Sequence, residues 1–209
     1  MTEIGTFMFA DLAGYTALTE AHGDERAADL AQMFCERVCS LELDHGGRDV
    51  KTLGDAVMSW VPDPREAIAL GVRIVDVIGR SHGFPAVRVG MHYGSAVRRG
   101  DDWFGATVNL AARVADLATA GQVLLTDATR RRAGRLTEIE VRDNGDHRFK
   151  NVAQAVRIWS ARSGRHGPPL PVDPVCRMVI DPARAAAQTT REGERYWFCS
   201  EHCLEAFDS

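Results

Sequence analysis

The sequence lacks any strong excess of one charge. Its 209 residues carry 25 Lys and Arg against 29 Asp and Glu, a net charge of −4. That balance leaves no electrostatic footprint for nucleic acid, and the Arg-rich stretch TRRRAGR at 129–135 is too local to change it. A long hydrophobic run is missing as well. The longest apolar stretch, AIALGVRIVDVIG, is broken by Arg73 and Asp76, so no segment is expected to span a membrane. The opening MTEIGTFMFAD is short and acidic, unlike a signal peptide. Internal repeats and low-complexity tracts are absent. A cytoplasmic globular protein is therefore expected, with 45% apolar and 26% charged residues. The length exceeds the usual domain of ~100–150 residues, which predicts one full domain plus a small one.

Five cysteines are unevenly spread. Cys35 and Cys39 lie four apart in MFCERVCSLEL, on one face of a helical pattern, and are expected to be buried free thiols. Cys176, Cys199 and Cys203 lie in the last forty residues. The chain divides at ARSGRHGPPLPVDP (161–174), where Gly, Pro and Ser cluster and hydrophobic periodicity lapses. The expected organisation is a domain over 1–160, a linker over 161–172 and a small module over 173–209.

Within the first domain, IGTFMFAD reads as a strand and DERAADLAQMFCERVCSLELDHG as an amphipathic helix ended by Gly46-Gly47. GRDVKTLGDAVMSWV reads as a hairpin. DPREAIALGVRIVDVIGRSHG reads as a helix with Asp63 at the cap and Pro64 at its first position. AVRVGMHYGSAVRRG is an alternating strand and ATVNLAARVADLATAG a helix closed by Gly121. Strands near 122–125, 138–149 and 154–160 complete it. This order predicts an α+β fold, a ferredoxin-like antiparallel sheet with helices packed on one face.

Two carboxylates stand out. Asp11 ends an apolar strand, and Asp55 sits at the tip of a hairpin in KTLGDAVM, just before an apolar run that should avoid it. Either alone reads as a cap or turn residue. Together, on adjacent strand ends, they can chelate hard divalent cations, which prefer carboxylate oxygens. The turn after Asp11 leaves the backbone N–H groups of Leu12 to Thr16 near a helix start, a seat for a polyphosphate.

FADLAGYTALTE, KTLGDAVM, RVGMHYGSA, DDWFGATVNLAARV and FKNVAQAVRIW, in this order, resemble the successive motifs of class III nucleotidyl cyclase catalytic domains. The resemblance covers roughly residues 4 to 160. It implies a homodimer with two interfacial active sites that convert ATP to 3′,5′-cyclic AMP. By the resemblance, Asp11, Asp55 and the backbone of Leu12 hold two Mg2+ or Mn2+ ions, while Gly14, Tyr15 and Thr16 approach the substrate. The partner chain would supply Lys51 and Asp102 to the base, Asn109 and Arg113 to the ribose and transition state, and Lys150 to phosphate. Lys51 donates and Asp102 accepts, which matches adenine; guanylate cyclases of the family typically carry an acidic and a small residue there. Asn109 and Arg113, four apart, project from one helical face. His92 is read as structural. Asn151 stands where the family commonly has Gly.

The last segment, DPVCRMVIDPARAAAQTTREGERYWFCSEHCLEAF, resembles a YHS domain, with Cys176 and the Cys199-x3-Cys203 pair followed by Phe207. Arg177 departs from the Gly often found after the first Cys. So short a module has little core of its own, and three thiolates suit Zn2+ or Cu+. His202 is a candidate fourth ligand. The expected form is a hairpin turning at Glu192-Gly193, then a helical turn with the sulfurs left near the surface above Phe207. Two alternatives stay open: a guanylate cyclase, or a non-catalytic dimeric metal-binding sensor.

Overall fold

The computed structural model describes residues 1–164 and 170–209. Its centre is strand β1 (Thr2–Leu12), flanked by the hairpin β2 (Arg48–Leu53) and β3 (Ala56–Val61) on one side and by β4 (Val87–Arg99) on the other. Beyond β4 lie β6 (Val123–Thr126), β8 (Val156–Ser163) and β7 (Ile139–His147), while short β5 (Asp102–Phe104) folds back on β4. Pairing is antiparallel except between β4 and β6. The α+β class and the antiparallel-dominated sheet are as the sequence predicts.

The helices are not confined to one face. Met8 and Ala10 of β1 pack with Phe34 of α2 (Asp24–Asp44) and Ile68 of α3 (Pro64–Val77). Their neighbours Phe7 and Phe9 point the other way, into a cluster with Trp60, Trp103 and Ala111 of α4 (Ala106–Leu117). The continuous burial of Thr6 to Ala10 is the reason: a strand covered on both faces reads as an unbroken apolar run rather than an alternation. Each fully buried side chain of this size contributes about 1.5–3 kcal/mol, so both helical layers are held firmly. At Gly90 the backbone of α4 lies directly on β4; a Cβ there would stand 2.0 Å from the Ala115 nitrogen.

Local signals account for most boundaries. Asp63 caps α3, its carboxylate accepting the Arg65 N–H at 2.8 Å, with Pro64 in the first turn. Gly54 turns the β2–β3 hairpin with φ 66°. Two elements depart from the sequence expectation. Helix α4 stops at Leu117, because Ala118 is already extended and Gly121 donates its N–H to Val87 O at 2.8 Å. The Arg-rich stretch is a helix, α5 (Asp127–Ala133), whose cap is Thr126 and whose last-turn arginines complement the helix dipole.

Strand β8 carries the sheet to Ser163, residues 165–169 of the expected linker lie outside the described residues, and Val172 pairs with Val179. The tail then forms the hairpin β9 (Ala187–Arg191) and β10 (Glu194–Phe198), followed by α6 (Glu201–Asp208). Glu192 and Gly193 both have positive φ (54° and 84°), the two-residue turn that suits a twisted hairpin. Met178, Ile180 and Phe198 of the tail join the apolar core built by α2 and α3. Three main-chain bonds dock it: Gly83 N–H to Val179 O, Val179 N–H to Phe84 O and Ala86 N–H to Arg177 O, at 2.9, 2.9 and 3.0 Å. Among the described residues no helix is long and apolar enough to cross a membrane.

Candidate active site

Register brings the two carboxylates together. Asp11 lies opposite Ala56 of β3 and Arg88 of β4, at the ends of three adjoining strands. Asp55 occupies the turn before Ala56, and its carbonyl accepts the Leu12 N–H at 3.2 Å. Burial pushes the Asp11 carboxyl up to about 6, against the opposing pull of Arg88, and the negative charge of Asp55 pushes the same way. Arg88 donates Nε–H to Asp11 Oδ2 at 2.8 Å, and its Nη2 reaches the same oxygen. Asp11 and Asp55, both half-buried, bring two formal negative charges against the single guanidinium of Arg88, which leaves the donor set short of positive charge. That set fits a hard divalent cation.

Arg88 was not singled out by the sequence. It looks like one more polar residue in an alternating strand, and only the β1–β4 register puts it on Asp11.

After Leu12 the chain turns through Gly14, in the left-handed region at φ 80°, into α1 (Tyr15–His22). No side chain caps this helix and no acidic residue sits in its first turn. The amides around Tyr15 and Thr16 are therefore open to an anion.

The residues expected at the base also meet. Lys51 Nζ lies 2.7 Å from Asp102 Oδ2, and Asp102 Oδ1 accepts the Trp103 N–H at 2.8 Å. The Lys51 hydrogen bond holds the Asp102 carboxyl below the usual range. Asn109 is exposed on α4, one turn before Arg113. The Arg113 guanidinium donates to the Lys150 carbonyl, and both line a cleft with His147 and Arg148. Asn151 keeps the backbone of a glycine, with φ 62°. Among the described residues, no hydrogen bond or ion pair joins the Asp11–Asp55 group to Lys51, Asp102, Asn109 or Arg113. His92 is tied by Nδ1 to Thr126 Oγ1 at 2.7 Å, and burial lowers it to about 4, as befits a structural imidazole.

In the tail, Cys176, Cys199 and Cys203 converge, but the expected surface setting is wrong. Cys176 and Cys203 are fully buried, and only Cys199 is half-exposed. The two thiols are buried because Cys176 and Cys203, with Phe198 of β10, belong to the same apolar core as Leu18, Phe34 and Ile68 of the first domain. His202 is exposed and is not among the clustered ligand atoms; the imidazole beside the sulfurs belongs to His22 at the end of α1. Hydrogen bonding from Cys176 lowers the Cys199 thiol to about 6, whereas burial raises Cys203 to about 11. Cys35 and Cys39 are half-buried on α2 rather than buried. Arg177 also keeps a glycine-like backbone, φ 65°. Its side chain lies over the turn at Gly14, where an added Cβ would meet Arg177 Cγ at 2.5 Å.

Comparison with known proteins agrees with this geometry. The adenylate and guanylate cyclase catalytic domain family matches residues 2–159, and the YHS domain family matches residues 172–209. A relative from Mycobacterium tuberculosis (strain CDC 1551 / Oshkosh), named pH-sensitive adenylate cyclase MT1302, is 36% identical over 165 residues, 76% of this chain and 41% of its own length. The chain thus spans less than half the length of the curated relatives it matches. The fold is shared with adenylyl cyclase CyaB from P. aeruginosa, at 23% identity and TM-score 0.68 over 79% of this chain and 98% of that one. It is shared equally with the guanylyl cyclase Cya2, at 21% identity and TM-score 0.68 over 81% and 97%. With three-quarters of its residues matched by one family, this chain belongs to the adenylate and guanylate cyclase catalytic domains, and it carries a YHS domain at its C-terminal end.

Proposed function

We propose that the chain is an adenylate cyclase, converting ATP to 3′,5′-cyclic AMP and pyrophosphate in a homodimer. The observation that carries this reading is the Asp11–Asp55 pair on adjoining strand ends, beside the uncapped start of α1. When bound there, Mg2+ or Mn2+ would supply Lewis acidity toward the ribose 3′-hydroxyl and charge toward the triphosphate. Asp11, Asp55 and the Leu12 backbone would hold the cations. The amides of Gly14, Tyr15 and Thr16 receive phosphate oxygens.

In the reaction the 3′-oxygen attacks the α-phosphorus, the bond to the bridging oxygen breaks, and pyrophosphate leaves. Arg113 offers a planar, permanently charged fork to the charge that develops on phosphorus-bound oxygens. Asn109, one turn away on α4, orients the ribose. Lys150 adds a point charge for phosphate. The Watson–Crick edge of adenine meets the Lys51–Asp102 pair, Lys51 donating to N1 and Asp102 accepting from the N6 amino group.

Two features support interfacial sites fed by both chains. Among the described residues no hydrogen bond or ion pair joins Asp11 or Asp55 to Lys51, Asp102, Asn109 or Arg113 within one chain. Exposed apolar side chains also lie on β1 and β5, which both pair with β4: Ile4 is 60% exposed, and Phe104, two residues from Asp102, is 54% exposed. Such side chains suit burial against a second copy. The test is turnover of ATP and GTP with Mg2+ or Mn2+. Cation-dependent cyclic AMP formation, lost in Asp11→Ala and Asp55→Ala chains that still fold, is expected. Preference for GTP would replace the adenylate assignment, and turnover in either variant would remove the cation-site assignment.

A further inference from the structure

One cluster takes no part in this chemistry. Cys176 and Cys199 have their Sγ atoms 3.4 Å apart, Cys199 and Cys203 theirs 3.6 Å apart, and His22 Nε2 lies 3.5 Å from Cys199 Sγ. All four ligand atoms lie within 4.8 Å of one another. A tetrahedral zinc ion, with bonds of about 2.3 Å to sulfur and about 2.0 Å to nitrogen, sets edges of about 3.8 Å between sulfurs and about 3.5 Å from sulfur to nitrogen. The three separations to Cys199 Sγ match those edges to within a few tenths of an ångström.

We propose that His22, Cys176, Cys199 and Cys203 form a zinc site spanning the seam between the tail and the catalytic domain. Three thiolates alone would accept Cu+ as readily as Zn2+; a fourth, imidazole ligand completing a tetrahedron favours zinc. The site is closed, as structural zinc sites are, with Cys176 and Cys203 fully buried. Its ligands are held in advance. The buried Asp173 carboxylate accepts the N–H groups of Val175, Cys176 and Cys199 at 2.9, 3.2 and 2.8 Å, joining the two cysteine-bearing segments. Ser200 Oγ accepts the Cys203 N–H at 3.2 Å and so starts α6. Such outer contacts orient metal ligands. A Cys176–Cys199 or Cys199–Cys203 disulfide would use only two of the four groups and leave His22 aside.

The site also brackets the nucleotide loop, a consequence that rests on the cyclase reading. His22 ends the helix that Gly14 begins, and Cys176 precedes Arg177, whose side chain lies over Gly14. Ala13 N–H donates to Ala86 O at 2.7 Å, and Ala86 N–H to Arg177 O. Zinc would therefore hold α1 and the Cys176–Arg177 turn as one piece around residues 12–16.

The experiment uses the reduced full-length chain, stripped by chelator and reloaded with Zn2+ or Co2+. About one zinc per chain is expected, with three sulfur neighbours and one nitrogen neighbour by zinc X-ray absorption, a measurement that needs no variant. Co2+ should give the intense visible bands of a tetrahedral thiolate site. His22→Ala should shift those bands and weaken zinc affinity, in competition with a chelator, by at least the ~10–100-fold that loss of an outer-shell partner costs. Unchanged bands and affinity in His22→Ala, or an absorption spectrum without the nitrogen neighbour, would overturn the seam site. So would an unreduced protein lacking two hydrogens by mass, with no zinc taken up. These readouts are independent of turnover, so an inactive cyclase leaves them standing. In an active one, zinc removal should raise the nucleotide KM several-fold; an unchanged KM would overturn the link to the loop.

Discussion

Replacing Gly90 by Ala tests whether the placement of α4 governs catalysis. A Cβ on Gly90 would stand 2.0 Å from Ala115 N and 2.3 Å from its Cα, both backbone atoms of the helix that carries Asn109 and Arg113. No rotamer change relieves a backbone clash. Restoring ordinary contact near 3.4 Å requires α4 to retreat from β4 by about 1.4 Å, within the range of shifts that overpacking forces. The expected cost is about 2–3 kcal/mol, lowering Tm by roughly 4–12 °C for a chain of this size. Displacement of Asn109 and Arg113 by more than about 1 Å should lower kcat by ~10²-fold. The control is Gly71→Ala, on the opposite face of the sheet, whose Cβ would meet only side-chain atoms: Met91 Cε at 2.8 Å and methyls of Val89 and Val123 at 3.2 Å. It should lose stability without a comparable loss of kcat. Thermal unfolding and steady-state kinetics on both variants decide the matter. A folded Gly90→Ala enzyme that keeps the wild-type kcat would refute the reasoning, because α4 would then not position the reacting groups.

Two further outcomes follow from the site. Asp55→Ala and Arg113→Ala chains, each inactive alone, should recover about one quarter of wild-type activity when mixed equally, since half the dimers are mixed and each holds one intact site of two. No recovery in proven mixed dimers would argue against interfacial sites. Because Asp11 titrates near 6 and must be ionised to bind a cation, apparent Mn2+ affinity should hold above about pH 6 and fall about tenfold per unit below it. A flat affinity between pH 5 and 7 would remove Asp11 from the cation ligands.

What could be read from the residues alone was set by neighbours in the chain. The β2–β3 hairpin with Asp55 at its turn, the Asp63-Pro64 start of α3, the Glu192-Gly193 turn and the placing of Asn109 and Arg113 on one face of α4 all depend on spacing within a few residues. Spacing and turn chemistry encode those directly. The two departures noted in the motifs, Asn151 and Arg177, were visible too, though only the backbone showed that both keep positive φ.

Tertiary structure alone decided the rest. Arg88 meets Asp11 through a strand register 77 residues apart, and the burial that raises Asp11 exists only once the chain has folded around it. Helix α4 sits on the face opposite α2 because β1 is apolar on both sides, and an unbroken apolar run does not say which helix covers which face. His22 reaches Cys199 across 177 residues, and no local spacing could have preferred it over His202, which adjoins Cys203. The periodicity of a chain reports which side chains seek the interior; only packing decides which of them, once there, become neighbours.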